Sequence, residues 1–221
     1  MATVIFDESD MLTIPAWVND LASFRRWAET DEFPEEGRIC WLSDEVWADM
    51  SKEQLFTHVA LKTEIAAVLS RLVKGGRLGL FLGDGALLVN VDVDFACVPD
   101  AVFVSEAGLR DRVQLVEGKE EGFVELEGCP DMVLEVVSTS SVHKDTVTLR
   151  RAYWEAGIRE YWLVDARSTP LSFNILRHAA RGYVSAPKRS GRAKSAVFGK
   201  SFQLTQTTGR MGHPEYTLAM Q

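Results

Sequence analysis

One short segment constrains the fold of this chain more than any other. Residues 132–138 (MVLEVVS) are apolar at positions on both sides of a strand, which is typical of a central strand covered on both faces. A helix is predicted over residues 143–156, ended by Gly157, and a second strong strand over residues 161–164. Strand, helix and strand form one crossover unit, and such connections are right-handed. The chain is therefore predicted to be an α/β protein.

The central strand carries a carboxylate, Glu135, between apolar neighbours. Burying an ionised carboxylate is costly unless a cation lies beside it. Asp100, in the pair Pro99-Asp100 before another strand, offers a second carboxylate, and two carboxylates with a backbone carbonyl suit a hard divalent ion. Two interpretations stay open: a metal site, or a structural ion pair between Glu135 and a buried base. The pair Pro130-Asp131 is a weak indication by itself, because Asp beside Pro is common in turns.

The rest of the chain predicts one more helix and several strands. A capping box at Ser51–Gln54 opens a helix over residues 51–74, and Gly75-Gly76 ends it. The acidic residues 1–50 are expected to supply short helices and a strand or two, and residues 185–195 a flexible basic loop. Apolar or alternating runs predict further strands, the first three as a meander and the next two as a hairpin: 78–82, 86–91, 101–105, 112–117, 122–127, 171–176, 182–185 and 197–204.

Charge is distributed unevenly along the chain. Residues 166–221 contain nine basic residues and one acidic residue, a net charge of +8. The whole chain has 24 Lys and Arg against 32 Asp and Glu, so residues 1–165 carry the other 15 basic and 31 acidic residues, a net charge of −16. The basic segment either contacts phosphates or folds back on the acidic half of the same or a neighbouring subunit. Its candidate nucleic-acid-binding residues are Lys188, Arg189, Arg192 and Lys194.

Other classes of protein receive little support. The three cysteines, Cys40, Cys97 and Cys129, form no CxxC pair, which argues against a disulfide framework or a zinc knuckle. No apolar run reaches the ~18 residues that span a bilayer, and the N-terminus does not match a secretory signal, so no membrane partner and a cytoplasmic location are expected. The absence of GxSxG, Walker A and GxGxxG motifs removes support for esterase, NTPase and dinucleotide-binding functions.

Residues 130–167 (PDMVLEVVSTSSVHKDTVTLRRAYWEAGIREYWLVDAR) resemble a large bacterial family of restriction-endonuclease-like proteins in the PD-(D/E)XK nuclease superfamily. The matching pieces, in order, are Pro99-Asp100, Pro130 through Ser138, Tyr153 with Ala156-Gly157, and Glu160 through Asp165. The resemblance covers roughly residues 37–210, including a helix that opens with Thr57-His58. It implies a restriction-endonuclease-like mixed β-sheet core flanked by helices, with extra β-hairpins, over residues 37–221. Residues 1–36 would form an acidic N-terminal extension packed on that core.

The resemblance also implies that the chain is a Mg2+- or Mn2+-dependent endonuclease that hydrolyses DNA. Asp100, Glu135 and the backbone carbonyl of Val136 would hold the metal. The lysine that this branch carries on the following helix is replaced by Leu149, and Lys144 is the nearest substitute, although residues five apart do not share a face of a regular helix. The alternatives are a catalytically inactive member that binds nucleic acid or protein, and a structural homodimer paired through the basic segment.

Two residues of the helix over 51–74 are weaker candidates. Glu64 could add a carboxylate to the metal site, but a solvated position on the helix is favoured. His58 is expected to be a packing or capping residue.

Overall fold

The computed structural model describes residues 12–119 and 122–221. The helices are α1 (Leu21–Ala28), α2 (Leu61–Gly76), α3 (Glu106–Asp111) and α4 (Leu149–Glu155), and π-helical segments lead into α2 (Leu55–Ala60) and α4 (Lys144–Thr148). The strands are β1 (Arg38–Leu42), β2 (Glu45–Asp49), β3 (Gly79–Gly83), β4 (Leu87–Asn90), β5 (Phe95–Cys97), β6 (Ala101–Ser105), β7 (Val113–Glu117), β8 (Phe123–Gly128), β9 (Met132–Val136), β10 (Glu160–Asp165), β11 (Ser172–Ala179), β12 (Gly182–Ser185), β13 (Lys188–Arg189), β14 (Arg192–Lys194), β15 (Ser201–Thr208) and β16 (Pro214–Met220).

Strand β9 lies inside a six-stranded sheet of order β12-β11-β10-β9-β6-β3. It pairs in parallel with β10 and antiparallel with β6, and the helix between β9 and β10 makes the predicted crossover. All five residues of β9 are buried. The mixed α/β architecture and the central position of this strand are confirmed.

Both faces of β9 are covered, because its side chains alternate between two apolar clusters. Leu134 and Val136 pack with helix α2 and with the sheet formed by β13 to β16. Val133 packs on the other side with Leu149 and Tyr153 of helix α4. A strand buried in this way has room for a charged side chain only where a compensating polar group lies beside it.

A second six-stranded sheet, of order β2-β1-β5-β4-β8-β7, covers the α4 side of the core. It contains the predicted hairpin over residues 112–127, as β7 and β8. The predicted meander is wrong. Strands β3 and β6 pair in the central sheet, whereas β4 pairs with β5 in the second sheet. The chain changes sheets at Asp84-Gly85, where both residues have positive φ angles, and local apolar patterns carry no information about which sheet a strand joins.

The helix predicted over 51–74 begins later than its sequence indicates. Gln54 caps the π-helical segment with its own side chain, accepting from the amides of Phe56 and Thr57. The Ser51 hydroxyl donates to Asp49 Oδ1 at 2.6 Å instead. The capping box at Ser51 is therefore wrong, because the serine has a better acceptor outside the helix. Helix α2 ends at Gly76, and Arg77 takes up the left-handed conformation that follows it.

The basic loop expected over 185–195 contains a hairpin. Strands β13 and β14 are joined by Ser190 and Gly191, both with positive φ, which fits the tight turns that match strand twist. The hairpin extends the sheet of β15 and β16.

Helix α1 connects the N-terminal region to the second sheet. Phe24 and Trp27 are fully buried in a cluster with Trp41 of β1. Arg25 forms salt bridges with Glu125 and Glu127 of β8. The boundary between the N-terminal extension and the core, placed at residue 36, stays a prediction. The first eleven residues of that extension lie outside the described range. No helix in the described ranges is long and apolar enough to cross a membrane.

Candidate functional site: two buried carboxylates beneath a cationic cleft

The register between β6 and β9 places Asp100 and Glu135 together. Ala101 pairs with Leu134, so Asp100, one residue before β6, lies opposite Glu135 on the same face of the sheet. Asp100 Oδ2 accepts a hydrogen bond from the Val136 amide at 2.6 Å. Both carboxylates are buried, with exposed fractions of 2% and 1%. The structure thus brings together the residues that the sequence predicts as metal ligands.

The environment of Glu135 is short of positive charge. Its Oε1 accepts a hydrogen bond from the Tyr153 hydroxyl at 2.7 Å. Burial, with the neighbouring carboxylates Asp145 and Asp100, raises the pKa of Glu135 to about 8, although Lys144 opposes the rise. A carboxyl group with a pKa of about 8 is mostly protonated at neutral pH. Further positive charge at this position would ionise it.

Lys144 pairs with Asp145, and its charge also acts on Glu135. Its Nζ is 2.6 Å from Asp145 Oδ1, its side chain is 11% exposed, and the charge of Glu135 helps to raise its pKa. The Leu149 amide donates to the Lys144 carbonyl, a bond between residues five apart. Because one turn of a π-helix takes roughly four and a half residues, positions 144 and 149 lie about 40–50° apart around the helix axis, on the same side of the helix. The expectation that they do not share a face holds only for a regular α-helix.

The Val136 carbonyl has a partner that the sequence did not indicate. His58 Nε2 lies 2.7 Å from this oxygen, and His58 Nδ1 lies 3.2 Å from Glu53 Oε2. His58 is therefore more than a packing or capping residue. The only sequence signal for it was its place at the start of the family's upstream helix.

Two further cations contact Asp100, and the sequence indicated neither. Arg38 Nη1 donates to Asp100 Oδ1 at 2.7 Å, and Lys62 Nζ lies 3.5 Å from the same oxygen. Both cations also contact Glu53 and Asp84. These residues come from β1, the loop after β2, helix α2 and the loop after β3, so only the folded chain assembles them.

A cleft of about 510 Å³ lies beside the buried carboxylates, which are not themselves among its lining residues. Three lining residues connect it to the buried acids: Arg38 and His58 lie against Asp100, and Lys144 pairs with Asp145. One wall is the serine-rich segment 138–141, in which Ser140 donates to Asp49 Oδ2 at 2.5 Å. The cleft is lined by four cations and by two carboxylates, Asp49 and Glu53, so its lining carries a net positive charge that suits an anion; the cations are Arg38, Lys52, Lys144 and Arg167.

Two other acidic candidates lie outside this site. Asp131 accepts from Arg112 at 2.6 Å and from the Ser105 amide at 2.8 Å, near the start of β9. Glu64 accepts from the Leu218 amide at 2.9 Å, so it links α2 to β16. Both make structural contacts here, and Glu64 is half-buried against β16 rather than fully solvated.

The predicted nucleic-acid-binding residues are not part of the cleft lining. Lys188, Arg189 and Lys194 are exposed and Arg192 is half-exposed on the β13–β14 hairpin. The segment after β14 is anchored to the first residue of β10, because Ser195 donates to Glu160 at 2.6 Å. The cleft lies beyond the other end of β10, at Arg167. A six-residue strand, roughly 20 Å, separates them.

Comparison with known proteins decides the family. The family model for Uma2, described as "putative restriction endonuclease", matches residues 21–201. The chain belongs to the Uma2 family. The match begins at helix α1, upstream of the resemblance that the sequence motifs support. No curated protein matches this Uma2 chain.

A solved structure shares the fold. It is described as a putative nuclease belonging to DUF820 from Anabaena variabilis, and it is similar to this Uma2 chain with a TM-score of 0.59 and 16% identity. The similarity covers 81% of this chain and 90% of that one. At this identity the comparison supports the restriction-endonuclease-like fold.

The donor set of the site fits a hard divalent ion in its chemistry. Two buried carboxylates and one carbonyl are the oxygen ligands that Mg2+ and Mn2+ take. Burial and the neighbouring carboxylates raise the pKa of Glu135, so added positive charge at this position would favour its ionised form. Among the described residues, no group of three His, Cys, Asp or Glu side chains could hold a metal ion, so an ion here would depend on the Val136 carbonyl, whose oxygen lies 2.7 Å from His58 Nε2.

Proposed function

We propose that this Uma2 protein is a divalent-metal-dependent nuclease that hydrolyses phosphodiester bonds in DNA. One observation carries the proposal: Asp100 and Glu135 lie opposite each other, buried, beneath a cleft lined by four cations. The family description supports nuclease chemistry, and the cationic lining fits a polyanionic substrate.

Each residue of the site has a role in this proposal. Asp100, Glu135 and the Val136 carbonyl would hold Mg2+ or Mn2+. Such an ion, when bound, polarises a phosphoryl oxygen and lowers the pKa of an attacking water. Lys144 supplies a fixed ammonium group at the cleft, where it stabilises charge that develops on the scissile phosphate.

A second candidate function is a catalytically silent nucleic-acid or protein-binding module. Leu149 favours it, because this position is fully buried in the apolar cluster around Tyr153 and has become part of the core. The π-helical segment favours the enzyme, since it brings Lys144 to nearly the same side of the helix as Leu149.

Cleavage of a supercoiled plasmid with Mg2+ or Mn2+ distinguishes the two functions. Asp100→Asn removes a ligand charge and should abolish nicking while DNA binding is retained. Lys144→Met should lower the cleavage rate by about 10²–10³-fold, the effect of losing one preorganised charge-stabilising group. Lys52→Met is the matched control, because Lys52 lines the same cleft without a contact to either carboxylate, and its rate at saturating DNA should stay near wild type. Binding without nicking by the wild type would support the silent module.

A further inference from the structure

Arg38 connects the cleft to the buried carboxylate Asp100. Its Nη1 donates to Asp100 Oδ1 at 2.7 Å, while its Nη2 contacts Glu53 and lies 3.5 Å from Asp84 Oδ2. The Arg38 side chain is 22% exposed and forms part of the cleft lining. One guanidinium group thus touches a proposed metal ligand and faces the space that a phosphate would fill.

A bound metal ion and the Arg38 guanidinium would compete for the carboxylate of Asp100. A divalent ion bound at this carboxylate and a guanidinium hydrogen-bonded to it carry like charges within a few ångströms, and like charges repel strongly at a buried site. The ion must therefore compete with Arg38 for Asp100. A displaced guanidinium keeps its planar set of donors, which matches the oxygens of a phosphate in two-point hydrogen bonding.

We propose that Arg38 binds a substrate phosphate after a divalent ion has displaced it from Asp100. Without the ion, Arg38 stays hydrogen-bonded to this carboxylate. This inference rests on the proposed nuclease function. It gives the cleft a second cation for the scissile or an adjacent phosphate, next to Lys144, in a chain whose helix lacks a lysine at position 149. Metal binding and substrate binding are then coupled through one side chain.

The neighbouring cations do not combine the same contacts. Lys62 lies 3.5 Å from Asp100, but it is only 10% exposed, donates to Glu53 and Asp84, and is not among the residues that line the cleft. Arg167 lines the cleft but pairs with Asp165 at 2.7 Å. Among residues 12–119 and 122–221, Arg38 is the cation that both lines the cleft and donates to Asp100.

The decisive variant is Arg38→Gln, which should change metal affinity and cleavage in opposite directions. Removing the competing guanidinium should lower the half-saturating Mn2+ concentration, measured by calorimetry or thermal shift, by about tenfold, as expected for one charge-assisted hydrogen bond. Plasmid cleavage at saturating Mn2+ should fall by about 10²-fold, because a phosphate-binding group is lost. A residue with a purely structural role would weaken both properties.

Arg167→Gln is the matched control, since it removes an arginine from the same cleft without touching Asp100. Its half-saturating Mn2+ concentration should equal that of the wild type. Arg38→Lys keeps the positive charge and provides a second test if Arg38→Gln does not fold. Its half-saturating concentration should fall between those of wild type and Arg38→Gln, with cleavage partly retained.

The outcomes separate this inference from the proposed function. An unchanged or higher half-saturating Mn2+ concentration for Arg38→Gln, in a protein whose wild type binds metal and cleaves, overturns the inference alone. Tighter metal binding with undiminished cleavage overturns the phosphate role. Metal binding by Arg38→Gln but not by the wild type supports the competition and contradicts the proposed function for the natural chain. No binding by either protein overturns both.

Discussion

Glu135 is a buried carboxylate in strand β9, with apolar residues on either side of it in the chain. A single carboxylate in an apolar strand had two explanations, a metal site or a structural ion pair. In the folded chain Glu135 has a tyrosine hydroxyl on one oxygen, two carboxylates nearby and the Lys144 charge opposing them. Burial and the two carboxylates raise the pKa of Glu135, and the Lys144 charge offsets only part of that rise.

The pKa of Glu135 predicts a pH-dependent stability. In the metal-free folded state the pKa rises from 4.5 to about 8, chiefly through burial. Between these values the folded protein retains a proton that the unfolded chain has lost, so the free energy of unfolding falls as pH rises, by at most about 1.4 kcal/mol per pH unit. Glu135→Gln removes this dependence. Measured by urea unfolding with a chelator present, Glu135→Gln should gain stability relative to wild type from about pH 5 to about pH 8, and a pH-independent difference would contradict the prediction.

The π-helical segments are the elements that shape the site. One leads into α2 and carries His58, and the other leads into α4 and begins with Lys144. Both border the cleft. Single π-helical turns occur mostly within helices and often at functional sites. Helical periodicity in a sequence does not distinguish an α turn from a π turn, so the sequence predicted both helices but not the side that Lys144 faces.

The β13–β14 hairpin makes a prediction at the scale of one element. If Lys188, Arg189, Arg192 and Lys194 contact phosphates, DNA affinity should fall linearly with salt on logarithmic axes, by about −0.9 per phosphate neutralised. The hairpin lies at the far end of β10 from the cleft, so its loss should weaken binding without altering the rate at saturating DNA.

The test replaces Lys188 and Arg189 by Ser and measures binding over a series of salt concentrations. The slope should flatten by up to about two units. A double Ser variant of Arg71 and Lys74, exposed residues of α2, is the control for a general loss of positive charge. Equal slopes in the two double variants would show that the hairpin has no specific phosphate contacts.

At the scale of the whole molecule, a ligand bound only by the folded state must raise stability by mass action. At 100 times the dissociation constant the gain is about 2.7 kcal/mol. Millimolar Mg2+ or Mn2+ should therefore raise the melting temperature of the wild type, and Glu135→Gln should abolish the increase.

Glu160→Gln is the matched control for the metal effect. Glu160 is also a buried glutamate, on the neighbouring strand, but it accepts hydrogen bonds from Ser195 and Ala196. Its variant should be less stable yet should retain the metal-dependent increase. A wild-type melting temperature that is indifferent to both ions would favour the silent module. The predicted homodimer is tested separately, by measuring the mass of the protein in solution by sedimentation.

The sequence by itself determined the strand–helix–strand unit, because an apolar run covered on both faces and a crossover helix leave few alternatives. It also indicated Asp100 and Glu135, since a carboxylate in such a strand requires a partner. Only the tertiary structure decided which sheet each short strand joined, and it alone placed Arg38, Glu53 and Lys62 around Asp100. Those residues are far apart in the chain and ordinary in their local patterns. Their place in the site follows from long-range packing and electrostatics, which local sequence periodicity does not predict.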